Sequence, residues 1–438
     1  MNVRKRSPKF SQPESKSGIC SLVIKTGAAL LPVAQLEASS IFGTLDQNFQ
    51  ETLEVLANAK TCDKTYNPKK ALSSANAAFS LELLRELSKN ESENSNVFFS
   101  PLSVQTAMGM VLLGSRGSTN ENMTKALCFK EFADDEQLHG SMKQLLTSLK
   151  QLKTVHLANR LYVDEGFRLF DDYKKKCLDN YFAEAVSTDF RKPAECVDKI
   201  NTWVKSVTAD KIDKLITKED LLGPLVLLNA IHFKGKWMEQ FDPKRTKDAE
   251  FHIGKRKSVK VPLMYGKMDV DYMEDQGFRA IRLPYKDDNL SMTILLPDNS
   301  VQQLSDGLTP ERLKDVQRKM VNQKVEVYIP RFHIEHKVNL KKELSALGMK
   351  TAFCCEADFS GMSPSATFIS NVIHQAKIEV NEEGTEAAAA TAVQMTRCCR
   401  PPRKTIFRAD RPFLFFIQND ESKEILFFGS LINPAKGK

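Results

Sequence analysis

The residues best suited to chemistry lie near the C-terminus, where two neighbouring thiols, Cys398 and Cys399, stand between Arg397 and Arg400. An exposed thiol at such a position is open to oxidation, which would change the polarity of the segment. The run continues through Pro401-Pro402-Arg403-Lys404 and is therefore basic and rich in proline. A stretch of this composition offers a protease an extended peptide, so we interpret it as a segment on which another protein acts.

Signatures of catalysis are missing from the sequence, which has no nucleophile elbow, Walker loop, dinucleotide-binding glycine motif or zinc-protease helix motif. The nearest metal-like cluster is His333-Ile334-Glu335-His336, in a predicted strand. Because side chains alternate along a strand, His333 and His336 would point to opposite faces. The nine cysteines include no C-x-x-C pair and form neither a disulfide framework nor a zinc ligand set. We therefore predict no metal, no cofactor and no enzyme activity.

The composition is that of an ordinary globular protein, since 42% of the 438 residues are hydrophobic and 27% are charged. The formal net charge of +8 is small for a chain of this length and does not predict binding to nucleic acid. The longest strongly apolar stretch, Leu221–Ile231, falls well short of the roughly 20 residues that cross a bilayer. By length alone, the chain would hold two or three domains of roughly 150 residues each.

The N-terminal part of the chain differs from the rest. We predict that residues 1–69 are a largely disordered extension and that residues 70–438 form a single domain. Met1–Gly18 is basic and rich in serine and proline, and Ile19–Ala38 holds a broken apolar run. That run resembles a degenerate signal segment, displaced too far from the N-terminus for an ordinary one.

From residue 71 onward the pattern predicts an α+β domain with helices first and strands mostly later. Apolar residues recur at helical spacing between Ala75 and Leu87, and Ser100-Pro101 begins a second helix. Val226–Ile231 is almost wholly apolar, as in a central strand covered on both faces, whereas Val325–Ile329 alternates. Three more runs predict strands, at residues 292–296, 413–417 and 425–428.

The segment that precedes the two thiols has two local interpretations. As a helix it would begin at Thr385 and continue through Ala387-Ala388-Ala389-Ala390, but it would have almost no apolar stripe to pack. With a period of two, small residues fall on one face and Glu386 falls on the other, so the segment would fit between strands without a clash. The second interpretation predicts a loop that can become a strand.

Several motifs, in the same order along the chain, resemble the serpin family over nearly all of residues 71–434. These motifs are Phe99-Ser100-Pro101-Leu102-Ser103, residues 228–237, Ile373-His374-Gln375-Ala376, the hinge segment 379–391, residues 411–417 and Leu426-Phe427-Phe428-Gly429. The alanine hinge and its Glu-Glu-Gly-Thr-Glu lead-in look most like intracellular-type, ovalbumin-like serpins and many invertebrate ones. The resemblance implies an α+β serpin fold, with three β-sheets, about nine helices and an exposed reactive loop near the C-terminus.

The resemblance also implies a function, the inhibition of a target serine protease by a suicide-substrate mechanism. The protease cleaves the reactive loop to form an acyl-enzyme, and the cleaved loop then inserts as a new strand into the large sheet. Such an inhibitor is expected to be a monomer with the protease as its covalent partner. The alternative is a non-inhibitory serpin that acts as a carrier or chaperone, which the small residues of the hinge argue against.

Three groups of site residues carry over from the family. The hinge comprises Glu382, Glu383, Gly384, Thr385, Glu386, Ala387, Ala388, Ala389, Ala390 and Thr391. The shutter, which gates opening of the large sheet, comprises Ser100, Ser103, Asn229 and His374. The breach, where the loop first enters, comprises Trp237, Arg331 and Glu382, and the last two are expected to face each other.

The reactive bond stays open between two alternatives. Counting the family's usual spacing from Glu382 makes Cys398 the specificity residue and Cys398–Cys399 the cleaved bond. A hinge one residue shorter selects Arg397, whose guanidinium would enter the acidic pocket of a trypsin-like protease. We favour Arg397, and with it a trypsin-like target.

Location and accessory partners rest on short patterns. Sequons at Asn90, Asn122 and Asn289 are compatible with glycosylation, and we predict an extracellular protein. The free cysteines favour a cytoplasmic location, which is the alternative. We predict weak glycosaminoglycan binding by a set of basic residues, Lys143, Lys150, Lys153, Lys255, Arg256, Lys257 and Lys260. The more common role of such residues is to form a solvated charged face, which is the alternative.

Overall fold

The computed structural model describes residues 67–436, with 91–94, 153, 222, 288 and 385–403 outside the description. The described part contains nine α-helices: α1 Pro68–Asn90, α2 Pro101–Gly114, α3 Gly117–Ala126, α4 Asp135–Leu149, α5 Asp171–Tyr181, α6 Pro193–Val207, α7 Val301–Gly307, α8 Pro310–Lys319 and α9 Lys341–Leu344. Helix α2 begins where the sequence predicts it, because the Ser100 hydroxyl accepts the N–H of Ser103 at 3.2 Å and Pro101 occupies the first turn.

The strands of the described residues form two hydrogen-bonded sheets. They are β1 Val97–Phe99, β2 Val155–Asp164, β3 Glu184–Thr188, β4 Leu225–Phe233, β5 Lys247–Gly254, β6 Lys257–Asp275, β7 Phe278–Pro284, β8 Leu290–Pro297, β9 Val321–Pro330, β10 Phe332–Asn339, β11 Asn371–Val380, β12 Thr405–Arg408, β13 Phe413–Asn419 and β14 Ile425–Leu431. A five-stranded sheet has the order β10-β11-β4-β2-β3. A nine-stranded sheet has the order β1-β14-β13-β8-β7-β6-β9-β12, with β5 beside β6.

The 19-residue strand β6 joins two parts of the nine-stranded sheet. Its first part pairs with β5 and β9, and its last five residues, Asp271–Asp275, pair with β7. The three sheets expected from the sequence correspond to the five-stranded sheet and to these two parts. Because β6 runs through both parts without a break, their hydrogen bonding is continuous.

Strand β4 lies at the centre of the five-stranded sheet, and all nine of its residues are buried. Leu227 and Ile231 belong to the main core, whereas Val226 and Leu228 pack in a second core with residues of α6. A strand covered on both faces needs apolar side chains in both directions, which explains the nearly unbroken apolar run.

Strands β4 and β11 are parallel neighbours, paired from Val226 with Asn371 to His232 with Lys377. Strand β11 continues to Val380, and a turn then brings Gly384 into an isolated bridge with Lys236. The two central strands therefore stop pairing before the chain leaves β11. No helix in the described ranges is long and apolar enough to cross a membrane.

Candidate functional site at the end of the central strand pair

The chain leaves β11 through a tight turn at residues 381–384. The N–H of Asn381 donates to the carbonyl of Gly384 at 2.9 Å, and the N–H of Gly384 donates back at 3.3 Å. Gly384 has a φ of +136°, and a Cβ at this position would lie 2.2 Å from the carbonyl oxygen of Gly235. Both the backbone conformation and the lack of space therefore require glycine here.

Backbone hydrogen bonds fasten this turn to the segment that follows β4. The N–H of Trp237 donates to the carbonyl of Glu383 at 2.9 Å, and the N–H of Phe241 donates to the carbonyl of Glu382 at 2.8 Å. The Trp237 indole Nε1 donates to the carbonyl of Asn381 at 3.0 Å, and its ring stacks on Tyr285 with centroids 4.5 Å apart. Trp237 therefore holds the start of the hinge in place through both its backbone and its ring.

A buried carboxylate provides the second attachment of the hinge. Glu382 is only 4% exposed, and the Nε of Arg331 lies 2.6 and 2.7 Å from its two oxygens. The hydroxyl of Thr246 donates to the same carboxylate. Burial raises the pKa of Glu382, but the hydrogen bonds from Arg331 and Thr246 outweigh it and hold the pKa below its ordinary value. The carboxylate is therefore charged at neutral pH and ties the hinge to the junction of β9 and β10.

The structure brings the four shutter residues of the sequence analysis together in one buried cluster. His374 of β11 stands directly opposite Asn229 of β4, and its Nδ1 bonds to the Asn229 side-chain oxygen. Its Nε2 accepts the backbone N–H of Ser100 at 3.1 Å. The amide nitrogen of Asn229 donates to the carbonyl of Ser103 at 3.1 Å and also to its hydroxyl. The cluster therefore links both central strands to α2.

The protonation of His374 follows from its partners. Because Nε2 accepts a hydrogen bond, the proton of the neutral ring lies on Nδ1 and is donated to Asn229. Burial, assisted by the charge of His336, lowers the pKa of His374 to about 3. The ring is therefore neutral at physiological pH. Its bond to Asn229 crosses the β4–β11 pair, so separating the strands costs about 1 kcal/mol at this bond.

Three further residues contribute to the site and were missed by sequence reasoning. Asn159 of β2 stands opposite Asn229 and accepts from its amide, which extends the cluster to a third strand. Thr246 binds Glu382, and Tyr285 stacks on Trp237. Nothing in the sequence around Asn159, Thr246 or Tyr285 marks these contacts, which arise from strand pairing and from the packing of distant segments.

The other predicted hinge residues, 385–391, and the candidate reactive residues Arg397, Cys398 and Cys399 lie outside the described residues. Their roles stay predictions. Among the residues that are described, no group of three or more histidine, cysteine, aspartate or glutamate side chains is arranged to hold a metal ion.

The three sequons occupy different surroundings. Asn90 ends α1, and its Nδ2 donates to the Glu343 carboxylate at 2.9 Å. Asn122 is half-buried, and its Nδ2 donates to the hydroxyl of Thr351 at 3.3 Å. Asn289 is exposed. Glycosylation stays a prediction, and Asn122 is the least accessible of the three.

The basic residues considered for glycosaminoglycan binding belong to different elements. Lys255, Arg256 and Lys257 lie at the turn between β5 and β6, whereas Lys143 is on α4 and Lys150 follows it. The Lys260 ammonium pairs with Asp248 at 3.5 Å, and Lys153 lies outside the description. Glycosaminoglycan binding stays a prediction.

The fold is that of the serine protease inhibitor class, and a family model described as Serpin (serine protease inhibitor) matches residues 74–434. The chain is 38% identical over 380 residues to leukocyte elastase inhibitor of Xenopus tropicalis, an alignment that covers 83% of this chain and 99% of that protein. It is 39% identical over 378 residues to Serpin B6 of Macaca fascicularis, with the same coverage. The crystal structure of human thyroxine-binding globulin complexed with thyroxine matches with a TM-score of 0.78 at 27% identity, over 84% of this chain and 100% of that one. The chain belongs to the serpin family.

These findings confirm the predicted family and the α+β serpin fold, and protease inhibition is the activity that names the family. They do not support the finer prediction of a trypsin-like target, since the Xenopus relative is named for elastase. The prediction of no enzyme activity was too broad and is corrected. The family description and the name of the Xenopus relative are those of protease inhibitors, and an inhibitory role is not evidence against catalysis.

Proposed function

We propose that the protein inhibits serine proteases as a suicide substrate, and that the segment after Gly384 becomes a new strand between β4 and β11. The proposal rests mainly on the parallel pairing of these strands and on the exit of the chain from the end of β11. A segment that turns back at Gly384 would run antiparallel to both strands. Insertion would replace one parallel pair by two antiparallel pairs, which are slightly more stable per residue.

Apart from the backbone hydrogen bonds of the β4–β11 pair, which the two antiparallel pairs more than replace, few contacts resist insertion. The strands would lose the bond between His374 and Asn229, at about 1 kcal/mol, and the charged contact of Glu382 with Arg331, at about 2 kcal/mol. A new strand of roughly 10 residues would add on the order of 10 backbone hydrogen bonds, each contributing about 1 kcal/mol net. The balance favours the inserted state once cleavage frees the segment.

The chemical step belongs to the protease. Its serine oxygen would bond to the carbonyl carbon of Arg397 or Cys398, while the peptide nitrogen of the next residue takes a proton and leaves. The resulting ester joins the two proteins. Insertion would then carry the protease away from the site of attack before water hydrolyses the ester.

The specificity residue decides the class of target. Arg397 would favour a trypsin-like protease, through a charge-assisted pair in its acidic pocket. The smaller Cys398 would suit an elastase-type protease, in line with the name of the Xenopus relative.

The location of the protein is a separate question. The hinge sequence resembles that of intracellular-type serpins, and the similarity to Serpin B6 and to leukocyte elastase inhibitor agrees with this resemblance. We therefore propose a cytoplasmic protein in place of an extracellular one.

Incubation with trypsin and, separately, with leukocyte elastase tests the proposal on a denaturing gel. We expect a band that survives SDS and contains both proteins. Mass spectrometry of the released C-terminal peptide would show whether it begins at Cys398 or at Cys399. The matched variant Ala389→Pro, which obstructs insertion because proline lacks an N–H, should be cleaved at the same bond without forming the band.

The carrier alternative makes the opposite prediction. Its support is the structural match to thyroxine-binding globulin complexed with thyroxine. Cleavage of the wild-type chain by both proteases with no stable band would contradict inhibition and favour this second function.

A further inference from the structure

A cavity lies between α1, α4 and two turns of the nine-stranded sheet. Its volume is about 530 Å³, within the range of about 300–1,000 Å³ that is usual for small-molecule sites. Its lining comes from the start of α1, the C-terminal half of α4, the β7–β8 turn and the β13–β14 turn. The described hinge, shutter and breach residues do not line it. We call this space the α1–α4 cavity.

One wall of the cavity carries a buried carboxylate. Glu424 immediately precedes β14 and is only 1% exposed. Within the described part of the chain, its Oε2 has no hydrogen-bond partner. An acceptor that is buried without a partner is costly, and few occur in a native protein. A ligand in the cavity that donates a hydrogen bond to this oxygen would remove the cost.

The charge of Glu424 depends on its neighbours. Burial raises its pKa to about 7, against the opposing effects of hydrogen bonds from Ser422 and the backbone and of the positive charge of Lys69. Lys69, at the start of α1, and Glu421, in the β13–β14 turn, are the other charged residues that line the cavity in the described part of the chain, and both are exposed. The carboxylate of Glu424 is therefore partly charged at neutral pH and would gain its full charge beside a bound cation.

The remaining lining of the cavity is mixed. Leu72 of α1 and Leu145 of α4 are buried and form an apolar surface. Gln144 and Gln151 line the cavity with exposed amide side chains. A ligand with a hydrocarbon body and one polar head group fits such a lining, because each part of the ligand meets a surface of its own kind.

The unpartnered Oε2 of Glu424 narrows the choice of head group. A guanidinium binds a carboxylate best through both oxygens at once, whereas an ammonium donates from a single nitrogen. A cation is favoured over a neutral donor, because a charge-assisted hydrogen bond is about twice as strong as a neutral one. The head group that suits Glu424 is therefore a primary ammonium.

We propose that the α1–α4 cavity binds a small primary amine. The ammonium group of the ligand pairs with Glu424, and its hydrocarbon body packs against Leu72 and Leu145. This binding adds a small-molecule site to the protein and does not depend on the inhibition of proteases.

Isothermal titration calorimetry of the full chain with phenethylamine tests the site. Two compounds with nearly the same body serve as comparisons, 2-phenylethanol without a charge and 3-phenylpropionate with a negative charge. We expect one phenethylamine per chain with a Kd below about 1 mM, and binding of both comparison compounds about tenfold weaker. Glu424→Gln keeps the shape of the side chain and should weaken binding of the amine about tenfold.

The pH dependence of the same titration needs no variant. With a pKa of about 7, the Glu424 carboxylate is about 90% charged at pH 8 and about 10% charged at pH 6. An alkylamine keeps its charge over this range, since its pKa is about 10, like that of lysine. The neutral form of Glu424 should bind as weakly as Glu424→Gln does. Binding to wild type should therefore be about fivefold weaker at pH 6 than at pH 8, and binding to Glu424→Gln should change little.

Glu343→Gln is the matched control. Glu343 is also buried, at 4% exposed, and also has an oxygen without a partner in the described part of the chain, but it does not line the cavity. This variant should bind phenethylamine like wild type. Equal losses in Glu343→Gln and Glu424→Gln would overturn the proposal, as would no binding of phenethylamine up to about 10 mM.

The comparison compounds give two further ways to overturn the proposal. Equal binding of 2-phenylethanol and phenethylamine would show an apolar cavity without a cation site. Tighter binding of 3-phenylpropionate would show that Lys69 selects an anion instead. Either result would contradict a role for Glu424 as the partner of an ammonium group.

Discussion

Replacement of Gly384 by alanine should destabilise the intact protein and leave the cleaved protein nearly unchanged. The φ of +136° disfavours any residue with a side chain, at a cost of about 1–3 kcal/mol. The added Cβ would also lie 2.2 Å from the oxygen of Gly235 and 2.5 Å from the Cα of Lys236, both of which are backbone atoms. Relief of that overlap needs a backbone shift, so we expect a total loss of about 3 kcal/mol.

The assay is urea denaturation of both forms, before and after cleavage of the segment 385–403. If that segment becomes a strand, Gly384 adopts an extended conformation in the cleaved form, where alanine is accommodated. The midpoint should therefore fall for the intact form alone. Gly254→Ala is the matched control, because its φ is not positive and no atom lies within 4 Å of the added Cβ. An intact Gly384→Ala protein as stable as wild type, or equal losses in the two forms, would refute the reasoning.

Two further predictions concern buried titratable groups. Glu382→Gln keeps the shape of the side chain but loses the charged contact with Arg331, and it should lower the stability of the intact form in urea by about 2 kcal/mol. The control Glu379→Gln, at an exposed position near the end of β11, should not lower it. The folded protein keeps His374 neutral down to about pH 3, whereas a histidine in the unfolded chain binds its proton near pH 6.5. The contribution of His374 to stability should therefore be complete above pH 6.5 and decrease as the pH drops toward 3. The free energy of unfolding should fall by up to about 1.4 kcal/mol for each pH unit. Urea midpoints measured at pH 7, 6 and 5 should show a smaller fall in His374→Gln. The control His252→Gln, at an exposed position, should show the same fall as wild type.

Local patterns in the sequence were sufficient to predict where central elements of the fold lie. The apolar run at residues 226–231 is the centre of β4, and Ser100-Pro101 begins α2, because burial on two faces and helix capping both act through neighbouring residues. The continuity of β6 through both parts of the nine-stranded sheet was not predicted. It depends on pairing with β5, β7 and β9, which are brought together only by the folded chain.

The candidate site was accessible to sequence reasoning only in part. The family resemblance, rather than any local pattern, pointed to Arg331 and Glu382, and the two side chains are in contact. Thr246 binds the same carboxylate from 136 residues away, and its own surroundings in the sequence carry no mark of that contact. Such partners are chosen by the packing of distant elements, so periodicity and motif spacing do not reveal them.

The central claim is that β4 and β11 separate to admit a strand from the segment 385–403. Thermal denaturation before and after cleavage of that segment tests it most directly. A net gain of about 7 kcal/mol, divided by an unfolding entropy of about 0.8 kcal/mol/K for about 370 residues, predicts a midpoint about 9 °C higher in the cleaved protein. A cleaved protein that melts at or below the temperature of the intact one would contradict strand insertion.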